Sequence, residues 1–347
     1  MYKYFLLILF SLFFDNAQGQ INIRMVGDCM IGTSYPSTKC LPPTDSNILV
    51  YATEYLKNAD ITFGNLEGCI YDEEGVVKKC NDPSKCYAFK IPNRYSLYFQ
   101  SAGFDVLNLA NNHSGDFGPD ARLNTVNTLS SLQIGSCGLL DHKWYVVTVK
   151  NKKLGFIGFS PNSGTLDIND IPAAQYLVKQ LDSICDIVIV SLHTGAEGGK
   201  ALHVKDRYEF FYGENRGNPV KVAHSLIDAG ADMIIGHGPH VPRAIDCYKG
   251  KFIAYSLGNF ATFNRFSLKG YSKYAPMIDI LIDNDGNMVK GEILSFLQYG
   301  EGIPIYDDNN LVAKLIRKLT KEDIKKPGLK FQTNGTFIPV LKAKKIK

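Results

Sequence analysis

The sequence predicts an α/β fold in one large domain. From residue 21 to about residue 300, short apolar runs rich in β-branched residues alternate with amphipathic helical segments. These runs are almost unbroken in their hydrophobicity, which is typical of strands buried on both faces. No linker rich in Ser, Gly or Pro divides residues 21 to 300, and no internal repeat is visible. A single folded unit is therefore expected.

Composition narrows the class of protein. Of the 347 residues, 45% are hydrophobic and 21% are charged, as in ordinary globular proteins that can bury a sizeable core. The formal net charge of +4 is mild, and no dense stripe of Lys and Arg is interleaved with aromatic residues. Nucleic acid is therefore not expected as a partner.

The N-terminal segment differs from the rest. Lys3 precedes an apolar run over residues 4–14, and Ala17-Gln18-Gly19 places small residues where a signal peptidase cleaves. The run is shorter than the roughly 20 residues that span a bilayer, so an uncleaved anchor is the weaker alternative. We expect residues 1–19 to be a signal peptide and the mature protein to be exported to the periplasm or cell envelope.

The cysteine pattern indicates disulfides rather than a zinc site. Eight cysteines follow the signal segment, and an even number in an oxidising compartment favours disulfide formation. Cys80 and Cys86 flank a short polar loop and are the pair predicted to bond. No pair of cysteines, and no cysteine with a histidine, has the close spacing of zinc ligands.

Four helices are predicted from the spacing of apolar residues and from capping residues such as Asn218 before Pro219. Their predicted positions and apolar residues are 45–58 with Leu49, Ala52 and Leu56; a helix starting near Pro119 with Leu123, Val126 and Leu129; 218–230 with Val222, Ala223, Leu226 and Ile227; and a helix after Glu301 with Leu311, Leu315, Ile316 and Leu319.

Polar side chains follow six predicted strands at the points where the strands end. Residues 21–26 lead to Asp28, 60–63 to Asn65 and Glu67, 105–110 to Asn111, Asn112 and His113, 186–192 to His193, 231–235 to His237 and His240, and 252–257 to Asn259. Each residue alone is compatible with a simple turn. Because ligands bind at the carboxyl ends of strands in open α/β sheets, the six ends together predict one site.

These strand ends form part of six motifs that resemble, in order, those of the CapA family of poly-γ-glutamate capsule synthesis proteins, over residues 24 to about 300. The motifs are Gly27-Asp28-Cys29-Met30-Ile31-Gly32; Asn65-Leu66-Glu67; Leu109-Ala110-Asn111-Asn112-His113 with Asp116 and Gly118; His193-Thr194-Gly195-Ala196-Glu197; Gly230-Ala231-Asp232 with Gly236-His237-Gly238-Pro239-His240; and Tyr255-Ser256-Leu257-Gly258-Asn259-Phe260.

The resemblance implies a calcineurin-like metallophosphoesterase sandwich, in which two packed mixed sheets are flanked by helices. Because the pattern changes after Glu301, we expect the main domain to cover residues 20–302 and to be followed by a C-terminal helix, strand and basic tail over 303–347. The resemblance also implies one or two divalent ions of Mn, Fe or Zn, for which carboxylate, amide and imidazole ligands are suited.

The resemblance also implies roles for individual residues. The implied metal ligands are Asp28, Asn112, His193, His237 and His240, and the implied catalytic residues are Asp28, Glu67 and His113, the last as proton donor. Residues expected to bind substrate are Asn65, Asn111, Glu197, Arg216 and Asn259. Arg216 is included because a guanidinium near the site would bind a carboxylate or phosphate through two hydrogen bonds.

Two positions depart from the metallophosphoesterase pattern. Met30 stands two residues after Asp28, where those enzymes commonly have His, and Asn65-Leu66-Glu67 replaces their usual acidic bridging motif. Thioether sulfur is a poor ligand for hard divalent metals, so the sequence leaves open whether the site binds one ion or two.

Three functions follow as alternatives. The leading one is a hydrolase or transferase-like protein of poly-γ-glutamate capsule synthesis at the envelope, with an anionic polymer and membrane synthase subunits as partners. The second is a non-catalytic polymer-binding or assembly subunit. The third is an envelope metallophosphodiesterase unrelated to capsule.

We predict that the mature protein begins at or near Gln20, because the small residues of Ala17-Gln18-Gly19 close a short apolar run. Intact-mass measurement of the exported protein tests this prediction. An exported chain that still carries Met1 to Gly19 would contradict it.

Overall fold

The computed structural model describes residues 19–43, 46–80, 82, 86–332 and 334–340. The predicted signal peptide other than Gly19, the helix start at Asp45 and the basic tail from residue 342 lie outside the described residues. The elements below are those of the described part of the chain.

The strands are short and follow one another closely along the chain. They are β1 Ile21–Met30, β2 Ile61–Leu66, β3 Cys69–Ile70, β4 Lys90–Ile91, β5 Val106–Asn108, β6 Gly135–Cys137, β7 Trp144–Val149, β8 Lys152–Phe159, β9 Ile187–His193, β10 Phe210–Phe211, β11 Glu214–Asn215, β12 Met233–His237, β13 Ile245–Tyr248, β14 Lys251–Ala254, β15 Asn259–Thr262, β16 Tyr274–Ile282, β17 Met288–Tyr299, β18 Ile303–Tyr306, β19 Leu329–Phe331 and β20 Thr336–Pro339.

The helices are fewer than the strands. They are α1 Thr53–Leu56, α2 Leu97–Ala102, α3 Pro119–Ser131, α4 Ile171–Asp182, α5 Pro219–Ile227 and α6 Leu311–Asp323. None of these helices has the length and hydrophobicity needed to cross a bilayer.

Two mixed sheets form the centre of the fold. The first has ten strands in the order β19-β20-β17-β16-β1-β2-β5-β6, with β15 paired to β1 and β18 paired to β17. The second has six strands in the order β13-β14-β12-β9-β8-β7. Strands β1, β2, β5 and β6 are parallel, as are β8, β9, β12 and β14, so the carboxyl ends of each set lie at one edge.

The two sheets pack face to face on a shared apolar core. Ile23 and Phe63 of the first sheet belong to the same buried cluster as Phe156 and Ile189 of the second. The rings of Phe63 and Phe156 stack across the interface with their centroids 5.8 Å apart. Each ring removes a large apolar surface from water, which makes this layer a main source of stability. The predicted α/β sandwich of two mixed sheets flanked by helices is confirmed.

Helices cover the outer faces of the sandwich. Leu56, Phe99 and Leu129 from the first half of the chain lie in one cluster against the outer face of the first sheet. Val178 and Leu226 of α4 and α5 lie in another against the second sheet. The third predicted helix is observed as α5, and its N-cap residue Asn218 accepts a hydrogen bond from the amide of Lys221 at 3.0 Å.

Two helix predictions need correction. The helix expected over 45–58 is reduced to a 3₁₀ turn followed by the four residues of α1, although Leu49, Ala52 and Leu56 are buried as predicted. The helix starting at Pro119 is observed, but Leu123 is 62% exposed and was wrongly placed in its buried face.

The buried face of α3 consists of smaller residues than the sequence pattern suggests. It is formed by Ala121, Thr125 and Leu129 at four-residue spacing. Small residues let α3 approach β3 closely enough for the Thr125 hydroxyl to accept a hydrogen bond from the amide of Ile70 at 2.8 Å. The buried face of the helix therefore combines this polar contact with the apolar burial of Ala121 and Leu129.

Cys80 and Cys86 form the predicted disulfide. The backbone before Cys80 is attached to the loop that precedes α3, because the amide of Lys78 donates to the carbonyl of Asp116 at 2.8 Å. The disulfide-bonded Cys80 therefore lies two residues from a backbone contact with the loop that precedes α3.

We predict that Leu129→Ala lowers the free energy of unfolding by about 2–5 kcal/mol, because it leaves a cavity beneath α3. Leu123→Ala, the same change on the exposed face of the same helix, should alter it by less than about 0.5 kcal/mol. Urea unfolding of both variants measures the difference. Equal losses would contradict the observed rotation of α3.

Candidate metal-binding active site

Strand register brings the predicted residues of the first sheet side by side. Asp28 of β1 lies opposite Asn65 of β2 and Asn259 of β15, and Asn65 lies opposite Asn108 of β5. Residues 255–258 carry the chain from the second sheet to the first, and the carbonyl of Gly258 accepts a hydrogen bond from the amide of Asp28 at 2.8 Å. Four strands thus deliver polar side chains to one point.

The side-chain amide of Asn65 links these groups. Its Nδ2 donates to Asp28 Oδ1 at 2.9 Å and to Glu67 Oε2 at 2.7 Å. Its Oδ1 accepts from the side-chain amides of Asn108 at 2.8 Å and Asn111 at 3.1 Å. All hydrogen-bonding capacity of this buried amide is used, which fixes the orientation of both carboxylates.

The second sheet contributes two imidazoles. His193 ends β9 and His237 ends β12, and the two residues are neighbours in the parallel register. Both side chains are completely buried, and all four ring nitrogens lack a hydrogen-bond partner among the described residues. Nδ1 of His237 lies 3.3 Å from Asp28 Oδ1, and Nδ1 of His193 lies 3.9 Å from Glu67 Oε2.

This donor set fits a divalent metal. Single ligand atoms of Asp28, Glu67 and His193 all lie within 4.8 Å of one another. Glu67 Oε1 is also buried without a hydrogen-bond partner in the described chain. Burying so many unpaired polar atoms is costly, and a cation bound between them would offset that cost. Carboxylate oxygen with imidazole nitrogen is a ligand set used by Mn, Fe and Zn.

His240 lies at the rim of this cluster. Its backbone has a positive φ of 57°, and its Nδ1 lies 2.9 Å from Asp28 Oδ2 and 3.0 Å from Asn259 Oδ1. Although burial alone favours the neutral ring, the hydrogen bond to Asp28 and the charge of Glu197 raise the pKa of His240 to about 10. The ring therefore pairs with Asp28 when no metal competes for the carboxylate.

The two carboxyl groups of the cluster differ in acidity. Burial opposes the ionised form of Asp28, but the nearby imidazoles of His237 and His240 hold its pKa well below the usual range. Burial is the main cause that raises the pKa of Glu67 well above the usual range, and the negative charge of Asp28 is the second cause. Burial likewise lowers the pKa of His193 well below its ordinary value, which keeps the ring neutral and able to bind a metal.

His113 is held beside the cluster by a separate set of contacts. Its Nδ1 lies 2.7 Å from Asp116 Oδ2 and 3.4 Å from Nζ of Lys78, and its ring packs on Phe89 with centroids 4.2 Å apart. Burial is the main cause that lowers the pKa of His113, ahead of the opposing charge of Asp116. With Nδ1 bound to the carboxylate, Nε2 is the atom left to exchange a proton with a ligand.

A cleft of about 640 Å³ opens next to the cluster. It is lined by Asn111, Asn112, His113, Glu197, Glu214 and Arg216, and also by Lys78, Lys79, Arg122, Tyr87, Phe211 and Tyr212. Basic, acidic, amide and aromatic side chains thus face the same space.

Arg216 lies in this cleft but is not free. Its Nη1 lies 3.2 Å from Glu197 Oε1, and its Nη2 lies 2.9 Å from Glu214 Oε2. Glu197 Oε2 is in turn 3.8 Å from Nε2 of His240. Glu197 therefore stands between the guanidinium and the metal-ligand cluster.

An ion pair that the sequence did not reveal fixes the loop carrying these residues. Glu209 accepts hydrogen bonds from Nη1 and Nη2 of Arg243 at 3.0 and 2.8 Å. Arg243 is completely buried and also donates to the carbonyls of Ala196 and Ala201. The pair is 34 residues apart in sequence, and neither residue shows a local motif that would identify it.

The structure brings most of the predicted residues together, with unequal roles. Asp28, Glu67, His193, His237 and His240 form the cluster, and Asn65, Asn111 and Asn259 bind its members or one another. Asn112 lines the adjoining cleft, and its Oδ1 is buried without a hydrogen-bond partner among the described residues. Its role as a ligand stays a prediction.

Comparison with known proteins gives consistent results. The family model described as bacterial capsule synthesis protein PGA_cap matches residues 22–264. A capsule biosynthesis protein CapA of Bacillus anthracis is 26% identical over 88% of this chain and 74% of its own length. A PGA biosynthesis protein CapA of Bacillus subtilis is 27% identical over 69% of this chain and 63% of its own length.

A further relative and two solved structures are similar over different lengths. A protein of Mycobacterium tuberculosis named as a probable polyglutamine synthesis accessory protein is 33% identical over 44% of each chain. A hypothetical protein from Thermus thermophilus has the same fold, with a TM-score of 0.50 and 15% identity over 80% of this chain and all of its own. A 5′-nucleotidase precursor from the same organism gives a TM-score of 0.47 at 9% identity, over 87% of this chain and 59% of its own.

We predict that Asn65→Asp lowers the unfolding free energy of metal-free protein by about 3 kcal/mol or more. The change removes two donated hydrogen bonds and places a third carboxyl group between Asp28 and Glu67. Asn264→Asp, which removes one exposed amide donor to the carbonyl of Lys39, should cost less than about 1 kcal/mol. Chemical unfolding in chelator measures both. Similar losses would show that Asn65 does not hold the carboxylates.

Proposed function

The chain belongs to the family of bacterial capsule synthesis proteins PGA_cap, and from that premise we propose that it is a metal-dependent hydrolase acting on an anionic polymer such as poly-γ-glutamate at the cell envelope. A single observation carries the catalytic part of the proposal. His193 and His237 are buried side by side with four ring nitrogens unpaired among the described residues, next to the carboxylates of Asp28 and Glu67.

The proposed ligands come from both sheets. Asp28 and Glu67 of the first sheet and His193 and His237 of the second would hold the ion, and Asn112 would add an amide oxygen from the cleft side. A bound Mn, Fe or Zn ion supplies Lewis acidity toward the scissile group and toward water. Asn65 supports this role because it keeps both carboxylates turned toward the imidazoles.

His113 would deliver the proton needed by the leaving group. Burial lowers the pKa of its ring and Asp116 engages Nδ1, so Nε2 is the atom that would take up a proton and pass it to an oxygen or nitrogen of the substrate. The Phe89 ring fixes the plane of the imidazole. Because His113 borders the cleft rather than the carboxylate cluster, proton transfer and metal binding belong to different residues.

The cleft suits a polymer that carries amides and carboxylates. Asn112 offers an amide oxygen that has no hydrogen-bond partner among the described residues, and Lys79 adds positive charge to the cleft. Relatives of the chain are named for capsule, PGA or polyglutamine synthesis. We infer that membrane-bound synthase subunits are partners of this chain, and that the predicted signal peptide delivers it to them outside the cytoplasm.

A non-catalytic polymer-binding or assembly role is the second candidate. It is favoured by Met30, which is fully buried two residues beyond Asp28 and supplies no ligand for a hard metal. Under this alternative the cleft binds the polymer and the buried cluster only maintains the fold. Metal content and activity of single variants distinguish the two functions.

We predict that His237→Ala lowers bound metal by more than about tenfold together with hydrolysis, because even groups that only support ligands contribute about 10- to 100-fold to affinity. His113→Ala should lower hydrolysis by about 10²- to 10⁴-fold and leave the metal content unchanged. Metal is measured by mass spectrometry. Hydrolysis is measured as shortening of poly-γ-glutamate and as turnover of a chromogenic phosphodiester.

His142→Ala is the matched control, because His142 lies outside the cluster and should affect neither quantity. Equal metal loss in the His113 and His237 variants would remove the proton-donor role from His113. Unmodified protein that contains no metal after supplementation with Mn, Fe and Zn would support the assembly role instead.

A further inference from the structure

The guanidinium of Arg216 binds two glutamates that differ in exposure. Glu197 lies on the inner side of the cleft, and its side chain is 19% exposed. Glu214 lies on β11 at the outer side, and its side chain is 57% exposed. Glu197 is therefore enclosed by the cleft, whereas Glu214 contacts the guanidinium from the solvent side.

Arg216 itself is firmly placed. Its amide donates to the carbonyl of Glu209 at 2.8 Å, and its carbonyl accepts from the amide of Gly195 and the hydroxyl of Thr194. The guanidinium packs 5.7 Å above the Phe211 ring, and the residue is 5% exposed. The pair of Glu209 with Arg243 holds the same loop at its base. Arg216 is thus a preorganised carboxylate binder.

Glu214 has no comparable anchor among the described contacts. It belongs to a two-residue strand that pairs only with β10 in the described chain, and it follows Gly213, which has a φ of 83°. The ion pair with Arg216 is the contact that holds its side chain. Ion pairs with an exposed partner contribute little net stability, so this one can open at small cost.

We propose that Glu214 occupies the position on Arg216 that a carboxylate of the polymer takes when it binds, so that the polymer enters by displacing Glu214. The inference rests on the proposed function, because it takes the ligand to be a chain of γ-linked glutamates. Glu214 presents the same chemical group as that ligand, a carboxylate on a flexible stem. The exchange replaces one ion pair of Arg216 by another and leaves its contact with Glu197 in place.

The test is equilibrium binding of a fluorescein-labelled γ-glutamyl decamer to the full mature protein, measured by anisotropy. Glu214→Gln should tighten binding about two- to fivefold, because the competing carboxylate is gone and such exposed pairs are weak. Arg216→Gln should weaken binding at least about tenfold. Asp228→Asn is the matched control, since Asp228 pairs with Lys249 in an exposed ion pair near the amino end of β14. It should leave binding unchanged.

A double variant separates competition from general charge repulsion. If Glu214 acts only by competing for Arg216, Glu214→Gln should have no effect in protein that already carries Arg216→Gln. Tightening that persists in this background would overturn the proposal, as would unchanged or weaker binding by the single Glu214 variant. The Arg216 variants are taken as folded if their metal content and melting temperature equal those of the unmodified protein. Arg216→Lys provides a second, less disruptive variant.

The outcome also distinguishes the inference from the function on which it rests. Unmodified protein that does not bind the decamer would overturn the proposed polymer and the inference together. Binding of the decamer without any response to Glu214→Gln would overturn the inference alone. Inorganic polyphosphate of similar length serves as competitor. If polyphosphate displaces the decamer at a lower concentration than unlabelled γ-glutamyl oligomer does, the position on Arg216 selects phosphate rather than carboxylate. That result would contradict the proposal.

Discussion

The buried amide of Asn65 is the group on which the candidate site depends. It stands between the two acidic side chains of the cluster, which need a donor, and two neighbouring amides, which need an acceptor, and it bonds to all four. An aspartate here would offer only acceptors, and an apolar residue would leave every neighbour unpaired. The arrangement requires Asn at this position in this chain, and it explains how Asp28 and Glu67 can share one dry enclosure.

The site exists only where the two sheets meet. The first sheet supplies the carboxylates and the second supplies the imidazoles, while residues 255–258 cross from one sheet to the other beside Asp28. No local segment of the described chain contains enough ligands by itself. Metal binding to this cluster is therefore linked to the packing of the sandwich, and a bound ion would stabilise the folded state over the unfolded chain.

Much of the fold and of the cluster could be predicted from sequence, because strand hydrophobicity and residues at strand ends are local signals. Asp28, His193 and His237 were located in this way, as was the loop closed by Cys80 and Cys86. What the sequence did not show depends on contacts between distant residues. The buried face of α3 includes Thr125, which is bonded to β3, and Glu209 is held by Arg243, a partner that no local periodicity indicates.

The ion pair of Glu209 with Arg243 separates the strands that carry the imidazoles from the loop segment that lines the cleft. Both ends of the segment from Ala196 to Arg216 are attached at this pair or next to it, and the imidazole cluster lies on the strand side of the attachment. Insertions or replacements between the attachment points would reshape the cleft while leaving His193 and His237 in register. Diversification of ligand preference can therefore proceed in this fold without disturbing the buried imidazoles and carboxylates.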